Sequence, residues 1–457
     1  MRKRKYSFAN ASFWQRDTIC KKLEDMAQKG WMIEKLGRVW TYRNIPPQKL
    51  HFEIVYVPGG SEWNPGPTDG EYQLEELCAR DGWKLAARWG QVQIFYTDRS
   101  NPVPIETDPV TQVENIRRTM KKSLIPSQLM TLLLGVYMVG MSIYFFCSNA
   151  VNFLSSLQII WALMGVQLCV LSLIQLIAYF CWRHKAVQME ENGEFYEQKP
   201  LLSQAVNWAV LILNAVVLAV PLSHRLYRSS WLFGVGVLLL VLLAATLVQR
   251  LLKKKGVSRR MNLLVSISTV LVVYLVAMGA LAAAIFNDSF PGIRKPVEVR
   301  DMGGWEYKIY ADEIPLRIED LVGPVESEWS TEANENISLL VSKNQYDQWS
   351  LELEKDLPDL HYTVVDVHLP ALYETCKRSM LNRYEDVIRD GELLMVDHYQ
   401  PEEAAPWGVQ QVYRRYSDYG ADNTWLLCEK GRLVELRLDF EPTSEQMQRV
   451  YEILFAK

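Results

Sequence analysis

The stretches "LEDMAQKGW" (Leu23–Trp31) and "EELCARDGW" (Glu75–Trp83) each write Ala-x-x-Gly-Trp at the close of a run of helix-forming residues. In the first, Ile19, Leu23, Met26 and Ala27 recur at helical spacing and give one buried face. Ser12 followed by Gln15 is a capping box, the hydroxyl and the amide each satisfying an orphan backbone N–H. Gly30 supplies the left-handed residue that stops the helix, and in a Schellman arrangement Trp31 packs back on Met26. The same arithmetic makes Gly82 the second stop, sets Trp83 on Cys78, and assigns Thr68 and Glu71 to the start of that helix.

Two alternating segments follow each Gly-Trp, "WMIEKLGRVWTYRN" and "WKLAARWGQVQIFYTD", and "HFEIVYVP" adds a strand between the copies. Residues 6–98 therefore read as a duplicated helix–strand–strand unit, an α+β domain with one antiparallel sheet and two helices on one face. Gly30, Trp31, Gly82 and Trp83 are expected to be helix-stop and core residues. Trp40, Trp63 and Trp89 are the candidate ligand-binding aromatics, with core packing the alternative for aromatics on strands.

The L-x-x-M-A-x-x-G-W signature, the aromatic strands after it and a second Gly-Trp unit ending in "FY" carry a resemblance. Over about residues 5–100 the chain resembles the domain-of-unknown-function 2812 family. The resemblance implies a bacterial, membrane-associated protein with this domain ahead of membrane helices. It implies no catalytic residue, binding residue or cofactor.

The 457-residue chain is 49% hydrophobic and 22% charged, and the charges are sharply segregated. No Asp, Glu, Lys, Arg or His occurs between Lys122 and Arg183, and Pro200–Leu222, Ser229–Gln249 and Met261–Asn287 are likewise free of ionisable groups. A crossing takes about 20 apolar residues. The pattern predicts five transmembrane helices, roughly Gln128–Cys147, Leu157–Cys181, Ala205–Leu222, Trp231–Leu247 and Leu263–Phe286. "MRKRKYSF" has a basic start, but "ANASFWQRD" stands where a signal peptide's apolar core would be. Residues 1–122 are thus expected to stay on the side of synthesis.

Basic residues set the orientation. Arg117, Arg118, Lys121 and Lys122, then Arg183, Lys185 and Lys199, then Arg250, Lys253, Lys254, Lys255, Arg259 and Arg260 fall on one side. Only Arg225, Arg228, Arg294 and Lys295 fall on the other. The positive-inside tendency puts the N-terminus in the cytoplasm and the chain after Phe286 outside, in a bacterial plasma membrane. Net charge is +5 over residues 1–122, +7 over 123–287 and −16 over 288–457. A basic part beside anionic lipid and an acidic outer part suit this layout, so membrane lipid is an expected partner. Nucleic acid is not, because the inner basic residues are interleaved with acids. Trp182 and Trp231 are expected in the interfacial belt.

Four parts result: a cytoplasmic α+β domain over 1–100, a Pro-rich hinge ("SNPVPIETDP") and basic juxtamembrane helix over 101–126, a five-helix bundle over 127–287, and an acidic extracytoplasmic α+β domain over 288–457. In the last, "ISLLVSK", "HYTVVDVHL", "VQQVYRRYSD", "TWLLCEK" and "RLVELRLDF" read as strands, the final two joined around Gly431. "ALYETCKRSMLNRYEDVIRD" and "SEQMQRVYEILF" read as helices, and the acids over Asp312–Glu335 as a solvated loop. Cys376 and Cys428 are either a disulfide or two free buried thiols.

No phosphate-binding loop, H-E-x-x-H, G-x-S-x-G or S-x-x-K is present, and no Cys/His spacing suggests zinc. His361 and His368, seven residues apart in or beside one strand, fall on opposite faces, a poor geometry for sharing a metal. The expected function is therefore non-catalytic and without cofactor: a sensor or adaptor that relays between the outer and inner domains and has a protein partner. The alternative is the membrane subunit of a transport or export system that uses a separate ATPase.

Overall fold

The computed structural model describes residues 4–8, 16–37, 39–105, 108–156, 158–190, 196, 214, 225–286, 295–302, 305–352, 355, 357–389 and 392–456. The chain forms two compact units, residues 1–134 with 167–293 and residues 135–166 with 294–457.

The first unit begins with β1 (Arg4–Phe8), α1 (Arg16–Gln28), β2 (Trp31–Lys35) and β3 (Val39–Asn44). It repeats them as β4 (His51–Tyr56), α2 (Asp69–Arg80), β5 (Lys84–Trp89) and β6 (Val92–Thr97). Both helix stops are where the glycines require them: Gly30 has φ +81° and Gly82 φ +88°. At the second, the Gly82 N–H donates to the Ala79 carbonyl (3.1 Å) and the Trp83 N–H to the Cys78 carbonyl (2.9 Å), the two bonds of a Schellman motif. Thr68 and Glu71 form the expected capping box. The Ser12–Gln15 cap lies outside the described residues.

The single antiparallel sheet is corrected. There are two three-stranded sheets, ordered β1-β3-β2 and β4-β6-β5, so the repeating unit is strand–helix–strand–strand. The edge strands β2 and β5 lie side by side without a shared ladder. Each carries one extra residue at the same place in the repeat, Glu34 between Ile33 and Lys35 and Ala86 between Leu85 and Ala87. A bulge bends the strand and throws its backbone groups out of line, which is why these edges do not merge.

After the second repeat the backbone of residues 102–104 is irregular, as the prolines require, but it is fastened to the domain. The Trp83 indole Nε1 donates to the Val103 carbonyl (2.9 Å), and the Ile105 N–H donates to Glu53 Oε2 (2.8 Å). Asp108 caps α3 (Pro109–Lys122) with bonds from the Val110 and Thr111 N–H groups, and α4 (Leu124–Ser148) follows after Ser123. A short α5 (Ala150–Ser155) separates α4 from α6 (Gln158–Glu190); α7 (Arg225–Lys254) and α8 (Arg259–Phe286) complete the membrane segment.

Four helical stretches are long and apolar enough to cross a membrane: Val110–Ser148, Gln158–Met189, Leu232–Lys254 and Arg259–Phe286. They match four of the five expected crossings and fit a multi-pass membrane protein. The fifth, Ala205–Leu222, lies outside the described residues, as does the Trp231 side chain. Trp182 is not an interfacial anchor. It is 1% exposed within the core of the N-terminal domain, where its Nε1 donates to the Tyr196 carbonyl.

The C-terminal part of the second unit is built on a seven-stranded antiparallel sheet, ordered β14-β15-β16-β17-β11-β10-β9. These strands are β9 (Trp329–Ile337), β10 (Val341–Ser350), β11 (Leu360–Val367), β14 (Asp397–Glu402), β15 (Gln411–Ser417), β16 (Gly420–Glu429) and β17 (Arg432–Leu438). Two hairpins, β7 (Glu298–Met302) with β8 (Trp305–Ile309) and β12 (Val387–Arg389) with β13 (Glu392–Met395), stand apart from it, and a short helix α9 spans Ile318–Val322.

Alternation along the strands buries both faces of the large sheet. Tyr362, Val364, Trp425, Leu427, Val434 and Leu436 pack with Val450 and Leu454 of the C-terminal helix α11 (Ser444–Leu454). On the other face Val365, Val367, Leu426, Cys428 and Leu433 pack with Cys376 and Met380 of α10 (Tyr373–Leu381) and with Val151, Phe153 and Leu154 of α5. The hairpin apex between the first two membrane helices is thus part of this core. The Ala150 N–H donates to Ser379 Oγ, Ser338 Oγ to the Leu154 carbonyl and Lys343 Nζ to Asn152 Oδ1.

Three expectations for this region change. The helix over Ala371–Asp390 stops at Leu381, because Tyr384 and Asp386 have partners elsewhere. The Tyr384 ring packs edge-on against Tyr399 and under the Arg415 guanidinium, while Asp386 accepts from His398 Nδ1 and the Asp397 N–H. "ISLLVSK" is broken by a turn in which Ser338 Oγ accepts the Leu340 and Val341 N–H groups. The acidic run is only partly loop, since Glu332 and Glu335 belong to the edge strand β9, where charge discourages further pairing. Cys376 and Cys428 are free and buried, and burial pushes their thiols up to about 11 and about 12.

Candidate functional site

Of the three candidate aromatics, the structure brings two together. Trp40 belongs to the domain core at 7% exposure, with Lys22 Nζ 5.5 Å from its ring centroid. Trp63 and Trp89 instead line one cavity of about 380 Å³ within the first unit. That volume is in the range of small-molecule sites.

The cavity has three walls. The loop after β4 contributes Gly60 to Trp63, the β5–β6 hairpin Trp89 to Val92, and the α3–α4 junction Thr119 and Lys122 to Leu124 with Ser127. Arg259, at the start of α8, closes it. Gly60 and Gly90 allow the first two walls to touch: a Cβ on Gly60 would lie 2.3 Å from the Gly90 carbonyl oxygen. The loop after β4 is held from the other side. Gln249 Nε2 donates to the Glu62 carbonyl and Asn262 Nδ2 to the Trp63 carbonyl. Lys122 Nζ donates to the Pro58 carbonyl (3.2 Å), which leaves two of its three protons to face outward.

The lining is rich in unused donors. Thr119 is 1% exposed and its Oγ1 has no partner among the described residues; the Oε1 of Gln91 is a similarly orphaned acceptor. Both atoms are sealed from solvent and so lie behind the cavity wall. The chemistry available is anion binding with aromatic contact.

Gly30, Trp31, Gly82 and Trp83 lie elsewhere in the domain. A Cβ on Gly30 would come within 2.9 Å of the Ile45 carbonyl oxygen. Trp31 and Met26 are each packed against the main core, and Trp83 sits with Cys78, Val55 and Phe95 in a smaller one. Lys122, Arg259, Thr119 and Gln91 escaped the sequence reading as site residues. Their one visible signal is that Lys122 and Arg259 stand at the polar ends of apolar runs.

A second polar cluster lies on the large sheet, where Asp347, His361, Arg437 and Thr424 are direct cross-strand partners on four adjacent strands. They line a cavity of about 160 Å³ with Tyr384, Arg383 and Glu435. His361 Nδ1 bonds Asp347 Oδ1 at 2.7 Å, and this bond holds the imidazolium pKa above its ordinary value against the opposing effect of burial. Glu435 accepts from the Tyr399 hydroxyl and from Arg383. His368 bonds Ser342 and does not join His361. Among the described residues no three His, Cys, Asp or Glu side chains are grouped to hold a metal.

No curated protein and no solved structure matches the chain. Residues 16–127, which supply both Gly-Trp units and the junction wall of the cavity, match the model of the family described as Protein of unknown function (DUF2812), so the chain carries this family's domain over that segment.

Proposed function

We propose that the protein is a non-catalytic sensor or adaptor of a bacterial plasma membrane, in which an extracytoplasmic C-terminal domain is coupled through a five-helix bundle to a cytoplasmic DUF2812 domain and its protein partner. The observation that carries this reading is the anchorage of the first two membrane helices at both ends. Their connection, α5, is built into the C-terminal core through Val151, Phe153 and Leu154. Their other ends are built into the N-terminal core, through Val113, Ile116 and Met120 of α3 and through Tyr179, Trp182 and Ala186 of α6.

α4 is 25 residues long, about 37 Å at 1.5 Å per residue, enough to cross a hydrocarbon core of about 30 Å. Close-packed cores do not deform continuously. A ligand that repacks the C-terminal core therefore moves α5, and with it both helices. The excess of Lys and Arg near the ends that adjoin the DUF2812 domain supports the orientation.

Tyr72 and Leu77 are large apolar side chains exposed on α2, at 56% and 58%, and offer a place to look for the partner. With a photocrosslinker at either position in cells, we expect a discrete protein adduct whose yield changes at least several-fold when residues 294–457 are deleted. An unchanged yield, or solute flux driven by the chain with an added ATPase, would replace the relay with the transport reading.

A further inference from the structure

We infer that the cavity walled by Trp63, Trp89, Lys122 and Arg259 binds a glycerol phosphate group, presented by an anionic phospholipid headgroup at the membrane surface. The inference needs the membrane boundary but not the relay, so either can fail without the other.

Three observations converge on it. The first is position. Lys122 is the last charged residue before the sixty-residue run without ionisable side chains, and Arg259 and Arg260 immediately precede the apolar span of α8. The hydrocarbon boundary must fall close to both, so the cavity lies at headgroup depth, the level at which tryptophan is enriched.

The second is the balance of donors over acceptors. A phosphate is all acceptor. Among the described residues, Lys122 and Arg259 are the two cationic side chains that line the cavity. The two indole N–H groups of Trp63 and Trp89 are also without partners among the described residues. No carboxylate forms a salt bridge with Lys122 or Arg259 among the described residues. Arginine's planar fork matches phosphate oxygens in pairs, and lysine adds a point charge.

The third is what remains. Glu62 is the one carboxylate among the described residues that line the cavity, and it lies within electrostatic reach of Lys253. Acceptors beside a phosphate site suit a hydroxyl-bearing substituent. Glycerol provides one, and a choline headgroup, with its methylated cation and no donor, does not.

The test uses the full chain in detergent, titrated with phosphatidylglycerol and followed by native mass spectrometry. The K122Q/R259Q double variant should bind phosphatidylglycerol at least tenfold more weakly. K254Q/K255Q, which removes the same charge outside the cavity, should stay within twofold of the parent. Trp89 is 39% exposed, so Trp89→Ala should keep the fold, as checked by circular dichroism, and still lose binding several-fold. Titrating glycerol 3-phosphate in place of lipid separates the sources. Weak or absent binding of it, with no competition, assigns the site to lipid, whereas tight binding lost in the same variants assigns it to a soluble phosphate ester and overturns the lipid assignment. Equal binding by parent and K122Q/R259Q, or equal loss in both double variants, would overturn the site itself.

Discussion

Phe153→Ala is expected to destabilise the C-terminal unit by about 3–5 kcal/mol, the range for truncating a buried phenylalanine. By its place in the sequence the residue belongs to a nine-residue connection between membrane helices, where substitutions are ordinarily mild. The structure gives it another role. Its side chain is 7% exposed, meets the Phe146 ring edge-on at 5.8 Å, and shares a core with Val365, Leu426 and Leu433 of the large sheet. Removing it leaves a cavity where two chain segments meet. Phe145, 42% exposed, is the internal control; its replacement by alanine should cost under about 1 kcal/mol. Thermal melting of the purified chain, read by proteolysis of the C-terminal part, separates the two outcomes. Equal effects would mean that α5 is not part of that core.

The second large effect is expected at the other end of the molecule. Glu53 is 4% exposed on β4, and its carboxylate is paired with Arg16 at the start of α1 while it also accepts the Ile105 N–H of the linker. A buried pair of this kind is not by itself strong evidence of stabilisation, because desolvation offsets most of the attraction. Breaking it is a different matter. Arg16→Ala strands a buried carboxylate and should cost about 3–5 kcal/mol, whereas Arg16→Met combined with Glu53→Leu should recover most of that loss. Urea unfolding of the parent, both single variants and the double variant gives the cycle. Additive losses would show that the two side chains do not act as a pair.

Local rules made much of the N-terminal domain legible. A left-handed glycine after an amphipathic run has few readings, and Gly30 and Gly82 behave as that geometry demands. Sheet membership was less accessible. The pairing of β1 with β3 and of β4 with β6 depends on strands remote in sequence, and the matching bulges at Glu34 and Ala86 leave no mark in an alternating pattern. The α5 anchor was hidden for a related reason: Val151, Phe153 and Leu154 follow one apolar helix and precede another, so their hydrophobicity merges with that of the membrane runs. In the C-terminal sheet, alternation revealed β11, β16 and β17, but the tertiary partners of Tyr384 and Asp386 cut short a helix that periodicity alone would extend. The Trp63–Trp89 cavity draws its walls from residues near 60, 90, 120 and 259. Aromatic content could nominate two of its members, but only folding could exclude Trp40.

The proposed relay requires the two folded ends of the chain to be in different compartments. Native cysteines are poor reporters of this, since Cys20, Cys78, Cys376 and Cys428 are all buried, and burial holds the Cys20 thiol at about 12, far from the reactive thiolate. Two exposed tyrosines serve better: Tyr419 at the tip of the β15–β16 hairpin, fully exposed, and Tyr72 on α2. With Cys147, Cys169 and Cys181 replaced by serine, a membrane-impermeant maleimide on intact cells should label Tyr419→Cys and leave Tyr72→Cys unlabelled until the membrane is opened. Labelling of both in intact cells, or of Tyr72→Cys alone, would contradict the account.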